Sequence, residues 1–332
     1  MIKSLEYHDF MQHEWPQDVV IEGGVLSMGD RLIVGGEPKS GKSVLLTQMI
    51  RGLCMGTEFV GFKVTKPRKV LYIQAELREG RLQGRFKAWH EWAALNKIDF
   101  PKDMFHIWST NGPLNLTEKL GDGIEPDHPL EIIYREMDEL KPEVIVFDPL
   151  ASFHDVNEND SKEMKTLCCV VDRIKEHMNV AVVIAHHFRK GSVSDKQGMA
   201  LHDRIRGSNV MTAWADSIIA IYGNQASKDQ KHLEFLLRDS DANPERTLSY
   251  NYQTRSFDAI DSKSAGEAWA KEYLSKHPEG VLTSEFLKQA RMAPEAPKGG
   301  QNKVAEFKDD LILRRVLRQE IGENNAKRLF LC

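Results

Sequence analysis

The residues best suited to chemistry are Gly36, Glu37, Pro38, Lys39, Ser40, Gly41, Lys42 and Ser43, which are consecutive and fit G-x-x-x-x-G-K-[ST]. In that spacing glycines let successive backbone N–H groups converge on phosphate oxygens. A helix starting at the loop adds the positive end of its dipole. Lys42 can then reach β- and γ-phosphates, while Ser43 offers its hydroxyl to Mg²⁺. The apolar run Leu32-Ile33-Val34 before the loop and Val44, Leu45, Leu46, Met49 and Ile50 after it supply the strand–loop–helix context. A glycine-rich turn that merely opens a helix would not need Lys42 and Ser43 together. All eight residues are therefore expected to bind a nucleotide.

Two apolar runs end in acids. Val144–Asp148 is a strand pattern whose terminal Asp148 would sit beside the loop and hold Mg²⁺ through water. Leu71–Glu76 is the second, and Glu76 could orient or deprotonate the water that attacks the γ-phosphate. The plainer alternative for Glu76 is a surface acid beside a helix cap. Val180–Ala185 runs into His186 and His187, whose side chains should point to opposite faces of a strand, a poor zinc chelate. One imidazole is expected to sense the γ-phosphate or touch the catalytic water. A hydrogen-bonded pair closing the strand is the alternative. From Phe188 to Arg206 the chain is polar and carries Arg189, Lys190, Lys196, Arg204 and Arg206. So long a segment suits contact with phosphates of nucleotide or nucleic acid, or else forms a solvated face.

The elements that must position these groups alternate. Short apolar runs at Leu32–Val34, Lys69–Gln74, Val144–Phe147, Val180–Ala185 and Ser217–Ile221 read as strands. Met164, Leu167, Cys168, Val171, Ile174 and Met178 recur at helical steps between two of them. Near-continuous apolar strands separated by helices indicate an α/β fold with a mostly parallel sheet covered on both faces. His232–Leu237 and Thr247–Tyr252 read as a further, antiparallel strand pair. A polar junction at Asp258–Gly266 then opens a different module. Helices are expected at Ala268–Ser275, Thr283–Arg291 and Val304–Ile321, with a terminal strand from Lys327. That order suits a winged helix. The expected division is an arm over 1–28, a catalytic domain over 29–260 and a winged-helix-like domain over 261–332.

The 332 residues suffice for two domains, and the net charge of −4 argues against a chain that is basic throughout. Residues 262–332 carry 13 Lys and Arg against 10 Asp and Glu, a local excess of +3. Arg314, Arg315 and Arg318 fall at helical spacing there. They either contact phosphates or pair with Glu306, Asp309, Asp310 and Glu320. Cys54, Cys168, Cys169 and Cys332 show no CxxC pairing, as expected of thiols in a reducing cytoplasm. No apolar run approaches membrane-spanning length, so no membrane association is expected.

Together these residues resemble RecA-fold P-loop ATPases, and within them the RepA-type hexameric replicative helicases. The resemblance covers residues 30–253. It rests on Gly36–Ser43, Glu76, Asp148, His154 with Glu158 and Asn159, His186 and His187 with Lys190, and Arg206-Gly207-Ser208 before Ala215-Asp216-Ser217. Pro149 follows Asp148, where an AAA+ protein would carry its catalytic acid, so Glu76 favours the RecA-like arrangement. The resemblance implies ATP with Mg²⁺, a homo-oligomeric and hexameric ring, and single-stranded DNA as the track. It also implies an arginine finger reaching the neighbouring subunit's γ-phosphate. Arg206 matches the finger position, and Arg238, at the tip of the last core strand, is a second candidate. The basic C-terminal module lies outside that core and could bind duplex DNA, recruit a replication partner or cap the ring. A recombinase-like or regulatory DNA-binding ATPase that does not unwind, and an ATP-gated scaffold, are the alternatives to a helicase.

Overall fold

A computed structural model describes residues 4–14, 18–110, 112–117, 127–187, 209–223, 229–240, 244–260, 262–293, 301–321 and 326–332. They form two compact units, one built on Met1–Gly223, His232–Glu245 and Tyr250–Phe257, the other centred on Asp258–Cys332.

The first unit opens with a short helix, α1 (Tyr7–Gln12), and an antiparallel ribbon of β1 (Val19–Ile21) and β2 (Leu26–Ser27). Strands and helices then alternate through β3 (Arg31–Gly36), α2 (Lys42–Met55), β4 (Val70–Gln74), α3 (Glu79–Leu95) and β5 (Phe105–Ser109). The series continues through α4 (Pro129–Leu140), β6 (Val144–Asp148), α5 (Ser161–Met178), β7 (Ala181–His187), α6 (Asn209–Trp214) and β8 (Ser217–Gly223). Strands β9 (Gln230–Leu237), β10 (Glu245–Asn251) and β11 (Ser256–Ile260) complete a nine-stranded sheet ordered β11-β10-β9-β8-β3-β7-β6-β4-β5. From β8 to β5 every neighbouring pair is parallel. This is a RecA-like core. The loop-bearing β3 is separated from β6 by β7, and β4 flanks β6 on its far side.

Burial explains why the runs are strands. Every residue of β4 and of β6 is buried, as a parallel sheet covered on both faces requires. One face carries Ile33, Ile73, Ile145, Phe147, Val182 and Ile184 into a core closed by α4 and α5. Helix α5 presents Met164, Leu167, Cys168, Val171 and Ile174 to that core. Asp160 caps it by accepting from the backbone N–H of Lys162 and Glu163, and Asn179 ends it in a left-handed conformation.

The second unit contains α7 (Ser262–Ser275), β12 (Val281–Leu282), α8 (Thr283–Met292), α9 (Gln301–Leu313), β13 (Leu317–Ile321) and β14 (Lys327–Leu331). Its antiparallel sheet is ordered β12-β14-β13. Phe286, Phe307, Leu311, Leu317 and Leu329 are buried at its centre. The expectation of one helix over Val304–Ile321 is corrected. The helix stops at Leu313, Arg315 turns left-handed at φ 57°, and 317–321 pair with β14. The expected polar junction at Asp258–Gly266 is likewise structured, since it contains the end of β11 and the start of α7.

Candidate functional site

Parallel strands end on the same edge, and that edge gathers the chemistry. Gly36 is in register with His187, and Gln74 with Asp148, so the tips of β3, β7, β6 and β4 form a row. The loop after β3 folds tightly: Lys39 and Gly41 have φ of 66° and 109°, and Ser40 N–H donates to Glu37 O (3.1 Å). Gly41 is the residue before α2, and a Cβ there would lie 2.9 Å from Phe257 Cζ. Lys42 therefore begins the helix. Its ammonium donates to Gly36 O (2.8 Å) and Glu37 O (3.0 Å) and lies 3.2 Å from His187 Nδ1. Burial lowers the Lys42 pKa, while Asp148, Glu76 and Glu37 pull it back up. The P-loop lysine thus feels both acids selected from the sequence.

Asp148 is 5% exposed at the tip of β6. Burial raises its pKa, and the Tyr72 hydroxyl, which donates to Oδ2 at 2.7 Å, opposes that shift. Arg85 of α3 also approaches Oδ2, at 3.6 Å. Glu76, just past β4, is exposed and adds repulsion to Asp148. Sequence reasoning missed Tyr72 and Arg85. Tyr72 reads as one more apolar strand position, and Arg85 reaches the site only because α3 folds back.

His186 is 1% exposed, whereas His187 meets the P-loop lysine, so the two imidazoles do diverge. Behind them His154 is buried, with both ring nitrogens lacking a hydrogen-bond partner and Nε2 3.9 Å from Glu158 Oε1. Burial lowers its pKa, Glu158 opposes the shift and His186 adds to it. Arg206, with Arg189, Lys190, Lys196 and Arg204, lies outside the described residues.

Arg238 is not brought to this edge. Strand β9 returns along β8, so the Arg238 backbone N–H donates to Asp216 O (3.1 Å) at the start of β8, the end of the sheet opposite the P-loop. There Arg238 Nη1 donates to Asp216 Oδ1 (2.5 Å) and Nη2 to Ala215 O (3.0 Å). Arg31 completes this lower network by bonding Asp216 and Asp172. Arg238 accordingly belongs to the scaffold, for a reason that is topological: the last core strand runs the opposite way.

The residues present fit a nucleoside triphosphate with Mg²⁺. Ser40 Oγ is buried inside the loop without a hydrogen-bond partner. A Cβ on Gly36 would come within 2.6 Å of it, so the cradle leaves no room for a side chain. The metal donors, the Ser43 hydroxyl and the Asp148 carboxylate, are hard oxygens. Among the described residues no group of three or more His, Cys, Asp or Glu gathers into a cage. Magnesium typically takes one or two protein oxygens and fills its shell with phosphates and water.

Comparison with known proteins agrees with this geometry. A solved helicase ATPase domain is 13% identical, covers 70% of this chain and 86% of its own, and superposes with a TM-score of 0.51. The KaiC-like protein PH0186 from the hyperthermophilic archaeon Pyrococcus horikoshii OT3 is 15% identical and covers 73% of this chain and 93% of its own, with a TM-score of 0.49. No curated protein matches the sequence. The family model described as AAA domain matches residues 1–193, more than half of the chain. This chain belongs to that AAA domain family and is a P-loop ATPase with a RecA-like core.

Proposed function

We propose that this chain is an ATP-driven motor on nucleic acid, a helicase of the replicative type that works as a homo-oligomeric, hexameric ring. The contact between His187 and Lys42 carries the reading. Strand β7 ends against the phosphate-binding lysine, and the basic run from Arg189 to Arg206 leaves directly from that end. A change at the γ-phosphate therefore has a short covalent route to a segment suited to a nucleic-acid backbone.

In this mechanism the P-loop amides and Lys42 hold the β- and γ-phosphates. Glu76 orients the attacking water and accepts its proton. Ser43 and Asp148 hold Mg²⁺, which when bound neutralises charge developing on the phosphate oxygens. Tyr72 and Arg85 keep the Asp148 carboxylate oriented. His187 reports the γ-phosphate to the following segment, and His186 braces the strand from within. Arg206 serves the neighbouring subunit as its arginine finger.

The C-terminal unit has the helix–strand–helix–helix–strand–strand order of a winged helix. Arg314 is paired with Asp310 and Glu267, and Arg318 lies over the Phe330 ring and near Glu320. That neutralisation favours docking of a replication partner over a strong phosphate-binding role. Among the described residues no helix is long and apolar enough to cross a membrane. The buried Cys54 and Cys168, both pushed up to about 12 by burial, suit a reducing cytoplasm.

The test is ATPase rate with and without single-stranded DNA, followed by strand displacement on a forked duplex. Stimulation with displacement supports a helicase, and stimulation alone leaves a non-unwinding DNA-binding ATPase. No stimulation rules out the motor and leaves an ATP-gated scaffold.

A further inference from the structure

Three arginines are largely buried in the first unit, and two have their charge matched. Arg31 bonds Asp216 at 2.8 Å and Asp172 at 3.2 Å, and these acids hold its pKa above the usual range. Burial works against Arg68, and Asp18 and Glu143 outweigh it. Arg51, on α2, differs. It is 6% exposed, and burial alone pushes its pKa down to about 10, with no carboxylate acting to raise it. Its closest charge-complementary neighbour is the face of Trp89, whose ring centre lies 5.0 Å from the guanidinium carbon.

Arg51 lines a cavity of about 570 Å³ between α3 and the edge strand β5. Phe86, Trp89, Phe100, Phe105 and Trp108 line it too, so aromatic surface dominates the wall. Glu79 and His90, the other titratable groups of the lining, are both exposed. The volume falls within the roughly 300–1,000 Å³ of small-molecule pockets. Arg51 is about 14 Å along the α2 axis from Lys42, so the cavity is separate from the phosphate cradle.

We propose that this cavity is a binding site for a planar aromatic ligand carrying one anionic group, with the ring among the aromatic side chains and the anion on Arg51. A guanidinium withdrawn from water is costly unless an anion meets it. Its planar fork matches a carboxylate or phosphate in two parallel hydrogen bonds. Aromatic walls receive a planar ring through offset and edge contacts that an aliphatic pocket lacks. The competing occupant is the N-terminal segment of a second copy, with its exposed Leu5, Tyr7, Phe10 and Met11. The acid within that segment's cap, Glu6, already accepts from the His8 backbone and ring. A buried charge at the wall of an aromatic cavity favours the small anion. The site does not depend on the motor reading.

Two fluorescent probes separate the ring from the charge: 1-anilinonaphthalene-8-sulfonate and the uncharged N-phenyl-1-naphthylamine. Binding is measured on the full chain with the P-loop saturated by Mg²⁺–ADP. The sulfonate should bind on the order of tenfold more tightly than the neutral probe, the increment of a charge-assisted hydrogen bond. Arg51→Met should erase that preference and leave the neutral probe's affinity within about twofold. Gln83→Trp, on the exposed rim, keeps Arg51 and should weaken both probes, which decides the matter if Arg51→Met fails to fold. Displacement of the sulfonate by indole-3-acetate would assign an aromatic carboxylate, and displacement by adenosine 5′-monophosphate a nucleotide. Equal affinity for the two probes in the wild type, or an unchanged preference in Arg51→Met, overturns the proposal. So does tighter binding of both probes when residues 1–14 are deleted, which gives the cavity to the arm of a second copy.

Discussion

Gly36→Ala is a small change that should have a large and local effect. Gly36 is in register with Ile221, where β3 and β8 pair at their upper tips. A Cβ at Gly36 would lie 2.6 Å from Ser40 Oγ, 2.7 Å from the Ile221 carbonyl oxygen and 2.9 Å from Ile221 Cγ2. Ser40 Oγ could rotate, but the carbonyl belongs to a paired strand and cannot. The β3–β8 tips must therefore separate, or the P-loop must shift away from them. Overpacking of this kind typically costs about 1–3 kcal/mol, and each kcal/mol lowers Tm by about 2–4 °C in a domain of this size. Displacement of the loop should also weaken ATP binding. Gly84→Ala is the matched control, because nothing lies within 4 Å of a Cβ there and the residue is inside α3. Relieving a helical glycine should stabilise by about 0.5–1 kcal/mol and leave turnover unchanged. Thermal denaturation with fluorescent-nucleotide titration reads both quantities. A Gly36→Ala protein with wild-type Tm and wild-type ATP affinity would refute the steric reasoning and the placement of the loop against β8.

The central sheet was legible because its strands are buried on both faces. Leu32–Val34, Val144–Phe147 and Val180–Ala185 needed no partner to be recognised as such. Helix α5 was equally plain, since its buried residues recur at three- and four-residue steps. Strand β5 was not foreseen: no residue of Phe105–Ser109 is fully buried, and an edge strand of mixed polarity has no strong period. The boundary between α9 and β13 escaped for a different reason. Leu311, Ile312, Val316 and Leu317 continue a helical spacing by chance, and only pairing with β14 makes Leu317–Ile321 a strand. Within the site, Lys42, Glu76 and Asp148 were readable because their positions follow from loop and strand tips. Tyr72 and Arg85 were not, because their meeting with Asp148 is tertiary. Arg238 was misplaced because composition does not show in which direction β9 runs.

Lys42→Ala should abolish ATP turnover with the fold intact, whereas Glu76→Gln should still bind Mg²⁺–ATP and lose about 10²–10⁴-fold in rate; single-turnover hydrolysis beside equilibrium binding separates them, and loss of binding in Glu76→Gln would make that acid structural. At the foot of the sheet, burial raises the Asp216 pKa, but the Arg31 hydrogen bonds outweigh it, and the carboxyl stays below its usual range. Its contribution to stability is therefore fully present above the unfolded value of about 3.9 and lost as pH falls through the depressed folded value. Asp216→Asn should cost about 1–3 kcal/mol at neutral pH, less than a fully broken buried pair because Asp172 still meets Arg31. Urea titrations at pH 7 and pH 3 should show the deficit shrinking in acid, and an equal deficit at both would remove Asp216 from the ion pair. In the C-terminal unit, Arg314→Ala should change DNA affinity and its salt dependence little, since Asp310 and Glu267 already hold that charge; a salt slope reduced by about one would show a phosphate contact.

The claim that the ATP site is shared between subunits is tested most directly by mixing two inactive variants. Lys42→Ala lacks the phosphate-binding cation, and Arg206→Ala should keep nucleotide binding while losing about 10³–10⁵ in rate, the worth of a finger arginine. A ring assembled from both contains interfaces with an intact P-loop on one side and an intact Arg206 on the other. The shared site predicts that ATPase activity returns on mixing, with the mass of an oligomer in ATP. Two variants that stay inactive together, with a chain that remains monomeric in ATP, would contradict the ring and the helicase built on it.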